Sequence, residues 1–210
     1  MIRTLGLVAM LSGFLVVLAY QLTLPTITEN KRRAVEQAVF NVVPGAATQT
    51  RCSVTDRGIE PAGKNAPKGT PIYAGYNAKG QLIGIAAEAA SPGYADIVRV
   101  LYGYSAECEC ITGLSILDSK ETPGLGDRIG TDPDFLANFD KLDASLNERG
   151  TALKHSIVTV KHGSKSHPWQ IDAISGATIS STAVGKMLNQ SAQHLLPLLL
   201  PHIKEIQVKH

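Results

Sequence analysis

The stretch Asp172-Ala173-Ile174-Ser175-Gly176-Ala177-Thr178 is the point from which this chain is read. It sets hydroxyl-bearing and small residues on a turn directly ahead of a helical pattern, Ile179-Ser180-Ser181-Thr182-Ala183-Val184-Gly185-Lys186-Met187-Leu188. A helix start presents unpaired backbone N–H groups and a partial positive charge, which together suit a phosphate. Gly176 and Ala177 let a bulky group come close to the backbone. Thr178 is therefore placed to contact a phosphate or to be bonded to one. The plain alternative is that Ser175 or Thr178 is an ordinary N-cap satisfying backbone donors.

Upstream lies Glu121-Thr122-Pro123-Gly124-Leu125-Gly126. Pro followed by Gly occupies the central positions of a type II turn. The second glycine extends a region without side chains, against which a planar ring system could lie. The plain alternative here is a Pro-Gly loop that holds no ligand.

Both stretches, in this order, resemble the FMN-binding domain family, as found in the G subunit of Rnf electron-transport complexes. The C subunit of the sodium-translocating NADH:quinone reductase is similar. Both carry a T-P-G-L-G loop upstream of S-G-A-T. Other segments agree in order: Thr28-Glu29-Asn30-Lys31-Arg32, Val43-Pro44-Gly45-Ala46, Gly93-Tyr94-Ala95-Asp96-Ile97-Val98-Arg99-Val100 and Gly113-Leu114. The resemblance covers nearly the whole chain and is densest over residues 91–188. One departure is Glu107-Cys108-Glu109-Cys110, where related sequences usually have a polar stretch with glycine or aspartate.

The resemblance implies FMN esterified through its phosphate to Thr178. Ser175, Gly176 and Ala177 would shape the turn and help hold the phosphate. Thr122, Gly124, Leu125 and Gly126, with Glu121 in the same motif, would line the isoalloxazine ring. Asp172 belongs to the segment that a flavin transferase recognises. By family, the protein is a membrane-anchored electron carrier, a subunit of an ion-translocating ferredoxin/NAD-linked oxidoreductase, working with other membrane subunits rather than as an enzyme alone. Two other readings stand beside it. One is a quinone-reductase C-like subunit or a stand-alone flavinylated domain, although that C subunit tends to be longer. The other is an anchored assembly protein with no cofactor.

Composition bounds the alternatives. A chain of 210 residues is one ordinary domain plus an appendage, and 44% hydrophobic residues suffice for a core. Aromatic residues make up 5% and the net charge is +2, so neither a base-stacking platform nor electrostatic steering to nucleic acid is present. There is no phosphate loop of the G-x-x-x-x-G-K-[ST] kind and no G-x-S-x-G elbow. His162 and His167 flank a loop without helical ligand spacing. Trp169 reads as a core residue and Lys186 as water-facing.

Residues 4–24 carry no charge. As a helix these 21 positions span about 31 Å, the thickness of a bilayer's hydrocarbon core. The run is longer than a signal-peptide core and ends without an A-x-A-like site, which favours an uncleaved anchor. Lys31-Arg32-Arg33 on its C-terminal side slightly favour a cytoplasmic domain by the positive-inside rule. The family implies the reverse, an inner-membrane protein with its flavin domain on the periplasmic side, and long domains cross regardless of local charge.

Cys108 and Cys110 lack the C-x-x-C spacing of thioredoxin-like or zinc sites. On a regular strand both would point the same way, which disfavours a bridge between them. A disulfide from Cys52 to one of the pair, buried thiols, and a metal or iron–sulfur centre shared with a partner remain as alternatives.

The organisation is an anchor over residues 1–25, an N-terminal helix and hairpin over 26–90, an FMN-binding core over 91–196 and a tail over 197–210. Helical spacing runs over 29–43 and stops at Pro44-Gly45. An irregular stretch begins at Cys52, and 61–71 reads as a loop. Residues 71–76 and 82–87 flank Asn77-Ala78-Lys79-Gly80 as a hairpin. Strands follow over 97–102, 111–117 and 156–161, with helical turns over 134–139 and 141–147. A last helix runs over 180–196 and stops near Pro197. Antiparallel-type strands with separate helices make this α+β: a single N-terminal transmembrane helix followed by mostly antiparallel strands with flanking helices.

Overall fold

The computed structural model describes residues 2–55, 58–61 and 69–207. Its helices are α1 (Ile2–Val42), α2 (Pro133–Leu136) and α3 (Thr178–Leu199). Its strands are β1 (Thr48–Thr55), β2 (Gly58–Pro61), β3 (Thr70–Tyr76), β4 (Leu82–Pro92), β5 (Ile97–Ser105), β6 (Cys110–Asp118), β7 (Leu142–Asp143), β8 (Val158–Val160) and β9 (Gln170–Asp172). The chain divides into two compact units, Met1–Glu36 and Gln37–His210.

The first unit is helical throughout its described residues, and its large apolar side chains, Leu5, Leu11, Phe14 and Val17 among them, are exposed. The helix passes through Pro25, which has no N–H to give to the carbonyl one turn earlier. Past the apolar stretch, Arg32 reaches Glu29 at 2.8 Å and Glu36 at 2.6 Å, and Arg33 reaches Glu29 at 2.9 Å. These i,i+3 and i,i+4 pairs lie on a solvated helix surface.

In the second unit, seven of the described strands form one antiparallel sheet in the order β2-β1-β3-β4-β5-β6-β7. The strand β5 shows why the sheet is covered on both faces: Val98, Val100, Leu101, Tyr102 and Tyr104 are all buried. Alternation sends Val98, Val100, Tyr102 and Tyr104 to one face. There they meet Val184, Met187, Leu188, Leu195 and Leu196 of α3 in the main core. The Tyr102 hydroxyl lies 2.8 Å from the Ser191 hydroxyl, so this buried polar atom is paired.

The other face takes the end of α1 through a trough of glycines. Gly75 pairs with Gly84 and Gly103 with Gly113 across neighbouring strands. A Cβ at Gly103 would collide with the Val42 carbonyl, and one at Gly113 would lie 2.8 Å from the Val42 Cα. Only side-chain-free positions let the backbone at Val42 sit this close, where Thr112 Oγ1 donates to the Val42 carbonyl at 2.7 Å.

The hairpin, the strands over 97–102 and 111–117 and the α+β class are present as expected. Four local expectations are corrected. The stretch after Cys52 is not irregular but continues β1 and leads to β2, which the sheet edge completes. Residues 142–143 form β7 on Ile111 and Cys110 instead of a helical turn, because pairing with an open edge outweighs weak local propensity. The last helix starts two residues earlier than expected and continues through Pro197 to Leu199. Its buried Leu195, Leu196 and Leu199 hold it across the missing N–H. Cys108 and Cys110 are joined by a disulfide, since the strand starts only at Cys110 and Cys108 lies in the preceding turn. Cys52 is a buried free thiol, which burial holds in its protonated form by raising its pKa. Most of the loop expected over 61–71, and residues 208–210 of the tail, lie outside the described residues.

Candidate functional site

The segment from Asp172 to Thr178 leaves the sheet and enters α3 through a tight turn. β9 pairs in parallel with β8, and Ala173 N donates to the Val160 carbonyl at 3.0 Å. Gly176 has φ +85°, the left-handed region that glycine enters without strain. Ala177 N then closes on the Ile174 carbonyl at 3.0 Å.

The cap of α3 is neither Ser175 nor Thr178. Ala177 holds the cap position with no side-chain bond. The buried Ser181 does the stapling from inside the first turn: its Oγ accepts from Ile174 N at 3.1 Å and donates to the Ala177 carbonyl at 2.9 Å. Thr178, the first residue of α3, is thereby left exposed. Among the described residues its hydroxyl makes no hydrogen bond. The first intrahelical bond runs from Ser181 N to the Ala177 carbonyl at 2.9 Å. The N–H groups of residues 178–180 thus have no acceptor inside the helix.

Across from this turn stands the Pro123-Gly124 turn, closed by Leu125 N on the Thr122 carbonyl at 3.1 Å, with Gly124 at φ +77°. Between the two is a cleft of about 370 Å³ lined by Tyr94, residues 121–122, 125–126 and 176–180. That volume lies within the usual range of small-molecule clefts, about 300–1,000 Å³. Its mouth is apolar: Tyr94, Leu125 and Ile179 are 70%, 53% and 56% exposed.

Glu121 holds the cleft walls together. Its buried carboxylate accepts from Tyr94 N at 2.9 Å and Ala95 N at 3.0 Å on one oxygen, and from the Ser180 hydroxyl on the other. One side chain therefore ties the 93–96 loop, the Pro-Gly loop and the first turn of α3. Burial works to raise its pKa, but the Ser180 hydroxyl and the backbone N–H groups outweigh it, and the pKa is lowered. Gly126 is required by this packing, since a Cβ there would run into the Glu121 carboxylate and lie 2.7 Å from Ser180 Oγ.

Of the residues expected at the site, Glu121, Thr122, Leu125, Gly126, Gly176, Ala177 and Thr178 meet around this cleft. Gly124 stands at the tip of its turn with open space around it. Ser175 and Asp172 line a neighbouring cleft of about 200 Å³ with Arg128, Asp132 and His162. There the Asp172 carboxylate accepts from Gly163 N at 2.9 Å and Ser164 N at 3.3 Å. Its backbone is gripped by Asn138, which takes Asp172 N at 3.0 Å and donates to the Asp172 carbonyl at 3.3 Å. Asp172 thus fixes the approach to the Ser175–Thr178 turn. Thr178 and Ile179 also border a groove of about 480 Å³ with Thr182 and Lys186, so Thr178 sits between two concave surfaces.

Sequence reasoning missed Ser181, Asn138 and the wall-joining role of Glu121. The serine run after Thr178 was the available signal for the first. Trp169 is half-buried rather than core, stacked between His155 at 3.9 Å and His167 at 4.5 Å.

Residues 93–193 match the model of the FMN-binding domain family. The chain is similar to the G subunit of the ion-translocating oxidoreductase complex of Methanosarcina acetivorans, at 33% identity over 60% of this chain and 61% of that protein. It is similar to the G subunit of the Na(+)-translocating ferredoxin:NAD(+) oxidoreductase complex of Acetobacterium woodii, at 35% identity over 58% of this chain and 53% of that protein. The matched part therefore spans less than two thirds of these two relatives. The G subunit of the ion-translocating oxidoreductase complex of Pseudomonas aeruginosa is 28% identical over 90% of this chain and 85% of its own length. Among solved structures, Shewanella oneidensis NqrC shares the fold with a TM-score of 0.57 at 16% identity, covering 81% of this chain and 87% of its own. The C subunit of the Na(+)-translocating NADH-quinone reductase of Parabacteroides distasonis does so with a TM-score of 0.55 at 22% identity, covering 73% and 78%.

Proposed function

We propose, from the premise that residues 93–193 belong to the FMN-binding domain family, that this chain carries FMN covalently through Thr178. On this reading it relays electrons as the membrane-anchored G-type subunit of an ion-translocating oxidoreductase complex. The observation that carries the reading is the Thr178 hydroxyl: exposed, without a hydrogen bond among the described residues, and on the first turn of a helix beside a ligand-sized cleft.

The residues present fit the group. The N–H groups at the start of α3 suit a phosphate, and a phosphate ester at Thr178 Oγ would lie against them. The apolar mouth formed by Tyr94, Leu125 and Ile179 suits a planar ring, and Gly176, with open space where a Cβ would stand, leaves that side of the cleft uncrowded. When bound, FMN supplies the redox chemistry, and the protein supplies position and electrostatic surroundings. Glu121 keeps the two loops and the helix start in register. Ser181 keeps the turn closed without drawing on the Thr178 hydroxyl, which stays free for attachment. A covalent link also prevents loss of cofactor on the far side of a membrane, where the family implies this domain lies.

The apolar first unit supports the anchor, because its helix is long and apolar enough to cross a bilayer. The names of the relatives support partners among the other members of such a complex. A flavin transferase is the maturation enzyme that this reading requires. The test is co-expression with an active flavin transferase followed by denaturing electrophoresis. Flavin fluorescence should stay with the denatured wild-type band and be absent from Thr178→Val. Fluorescence persisting in the Val variant would move the attachment elsewhere, with Ser180, Ser181 and Thr182 as next candidates.

A further inference from the structure

We propose that the Cys108–Cys110 pair is a thiol–disulfide exchange site for a dithiol-bearing protein, separate from the cleft at Thr178. The two cysteines are bridged across a single residue in the turn between β5 and β6, with Cα atoms 5.2 Å apart. Their exposure differs: Cys108 is exposed and Cys110 is 5% exposed. An incoming thiolate therefore reaches the Cys108 sulfur, and Cys110 is the leaving group. Between them Glu109 sits at φ +50°, the only positive φ at a non-glycine among the described residues. An L side chain rarely takes that conformation, and opening the bridge frees Glu109 to leave it. The change would reach the sheet edge, because the Glu109 carbonyl accepts from Ala144 N at 3.0 Å and Cys110 pairs with Asp143 of β7.

A polypeptide partner is favoured by what adjoins the turn. Ala106 and Glu107 form one side of a cleft of about 370 Å³ whose other walls include Leu82, Ile83 and Ile203. A small thiol needs no such surface, whereas side chains flanking a partner's dithiol would occupy it. The exposed carboxylates of Glu107 and Glu109 flank Cys108 and repel an anionic thiol such as glutathione. The site is remote from Thr178. The loop carrying Tyr94 precedes the start of β5 and the disulfide turn follows its end, about 27 Å away along nine residues.

The exchange balances as follows. A partner thiolate attacks the Cys108 sulfur, forming a mixed disulfide as the Cys108–Cys110 bond breaks. Cys110 leaves with the electron pair and takes a proton from water. The partner's second thiolate then attacks its own bridged sulfur and releases Cys108, which is protonated in turn. Two electrons pass to the cysteine pair and the partner leaves as a disulfide. With a monothiol, Cys110 re-attacks from two residues away and restores the bridge.

The experiment uses the full chain in detergent, treated at equal thiol concentration with thioredoxin, dithiothreitol or glutathione. Samples are quenched with iodoacetamide and mapped by peptide mass. Thioredoxin and dithiothreitol should place label on Cys108 and Cys110, with Cys52 unlabelled, while glutathione leaves the bridge closed. A thioredoxin lacking its resolving cysteine should be trapped on Cys108. Ala106→Trp, which fills the cleft from an exposed position, should slow thioredoxin roughly tenfold without changing the dithiothreitol rate. The proposal is overturned if the bridge opens only in denaturant, if the trapped adduct sits on Cys110, or if Ala106→Trp leaves the thioredoxin rate unchanged.

Discussion

Glu121 concentrates more of the site in one side chain than any other residue. Replacing it with Ala leaves Tyr94 N, Ala95 N and the Ser180 hydroxyl without their acceptor, at a cost of about 1–3 kcal/mol. Glu121→Gln keeps an acceptor for one set of donors and should cost less, and urea titration of both variants checks the order. The sign of the pH effect follows from the lowered pKa. The native state favours the ionised carboxylate, so its contribution is full above the ordinary carboxylate range. It is lost as pH falls below about 4 and through the native value. Wild-type protein should therefore lose stability on acidification through that range more steeply than Glu121→Gln. Parallel curves would remove the carboxylate from the account. The sequence exposed Glu121 only as the first letter of a loop motif. That its oxygens face inward depends on Gly93 and Gly126 leaving room for them, a three-dimensional fact that no spacing encodes.

At the scale of elements, α3 begins where Ser181 allows it to. Ser181→Ala orphans a buried Ile174 N–H and should cost about 1–3 kcal/mol, visible as a lower Tm. It should also loosen the turn that presents Thr178 and so lower the yield of flavinylated protein. Unchanged flavin incorporation in a destabilised Ser181→Ala protein would separate stability from presentation. The trough under the end of α1 makes a second expectation. Gly103→Ala sets a Cβ against the Val42 carbonyl, a backbone contact that cannot swing away, and overpacking of this kind costs about 1–3 kcal/mol. Long elements were legible because their patterns are strong: β5 with its β-branched and aromatic run, the hairpin at Asn77–Gly80, and the apolar stripe of α3. The short strands β2, β7 and β9 were not, because each takes its conformation from a neighbour across the ladder rather than from its own few residues. The cysteine bridge was missed because Cys108 lies in the turn ahead of β6, off the regular strand on which the two side chains would share a face.

For the whole molecule, the chain runs from an apolar helix into a domain whose cleft, loop and helix start converge on one hydroxyl. The anchor reading predicts that the full chain sediments with membranes and resists alkaline carbonate extraction, whereas a chain starting at Gln37 is released. Equal release of both would remove the anchor from the proposal. The family resemblance was legible in two short motifs, Glu121–Gly126 and Asp172–Thr178, which fall largely on facing walls of one cleft. The division of labour around them, with Ser181 stapling the turn from inside α3 and Asp172 bracing from a separate cleft, came only from the fold. The central claim is the covalent tether, and intact mass of the full chain purified beside an active flavin transferase tests it most directly. The account predicts an added mass of one FMN less one water, located by peptide mapping on Thr178. An unmodified mass, with the transferase shown to be working on a control protein, would contradict it.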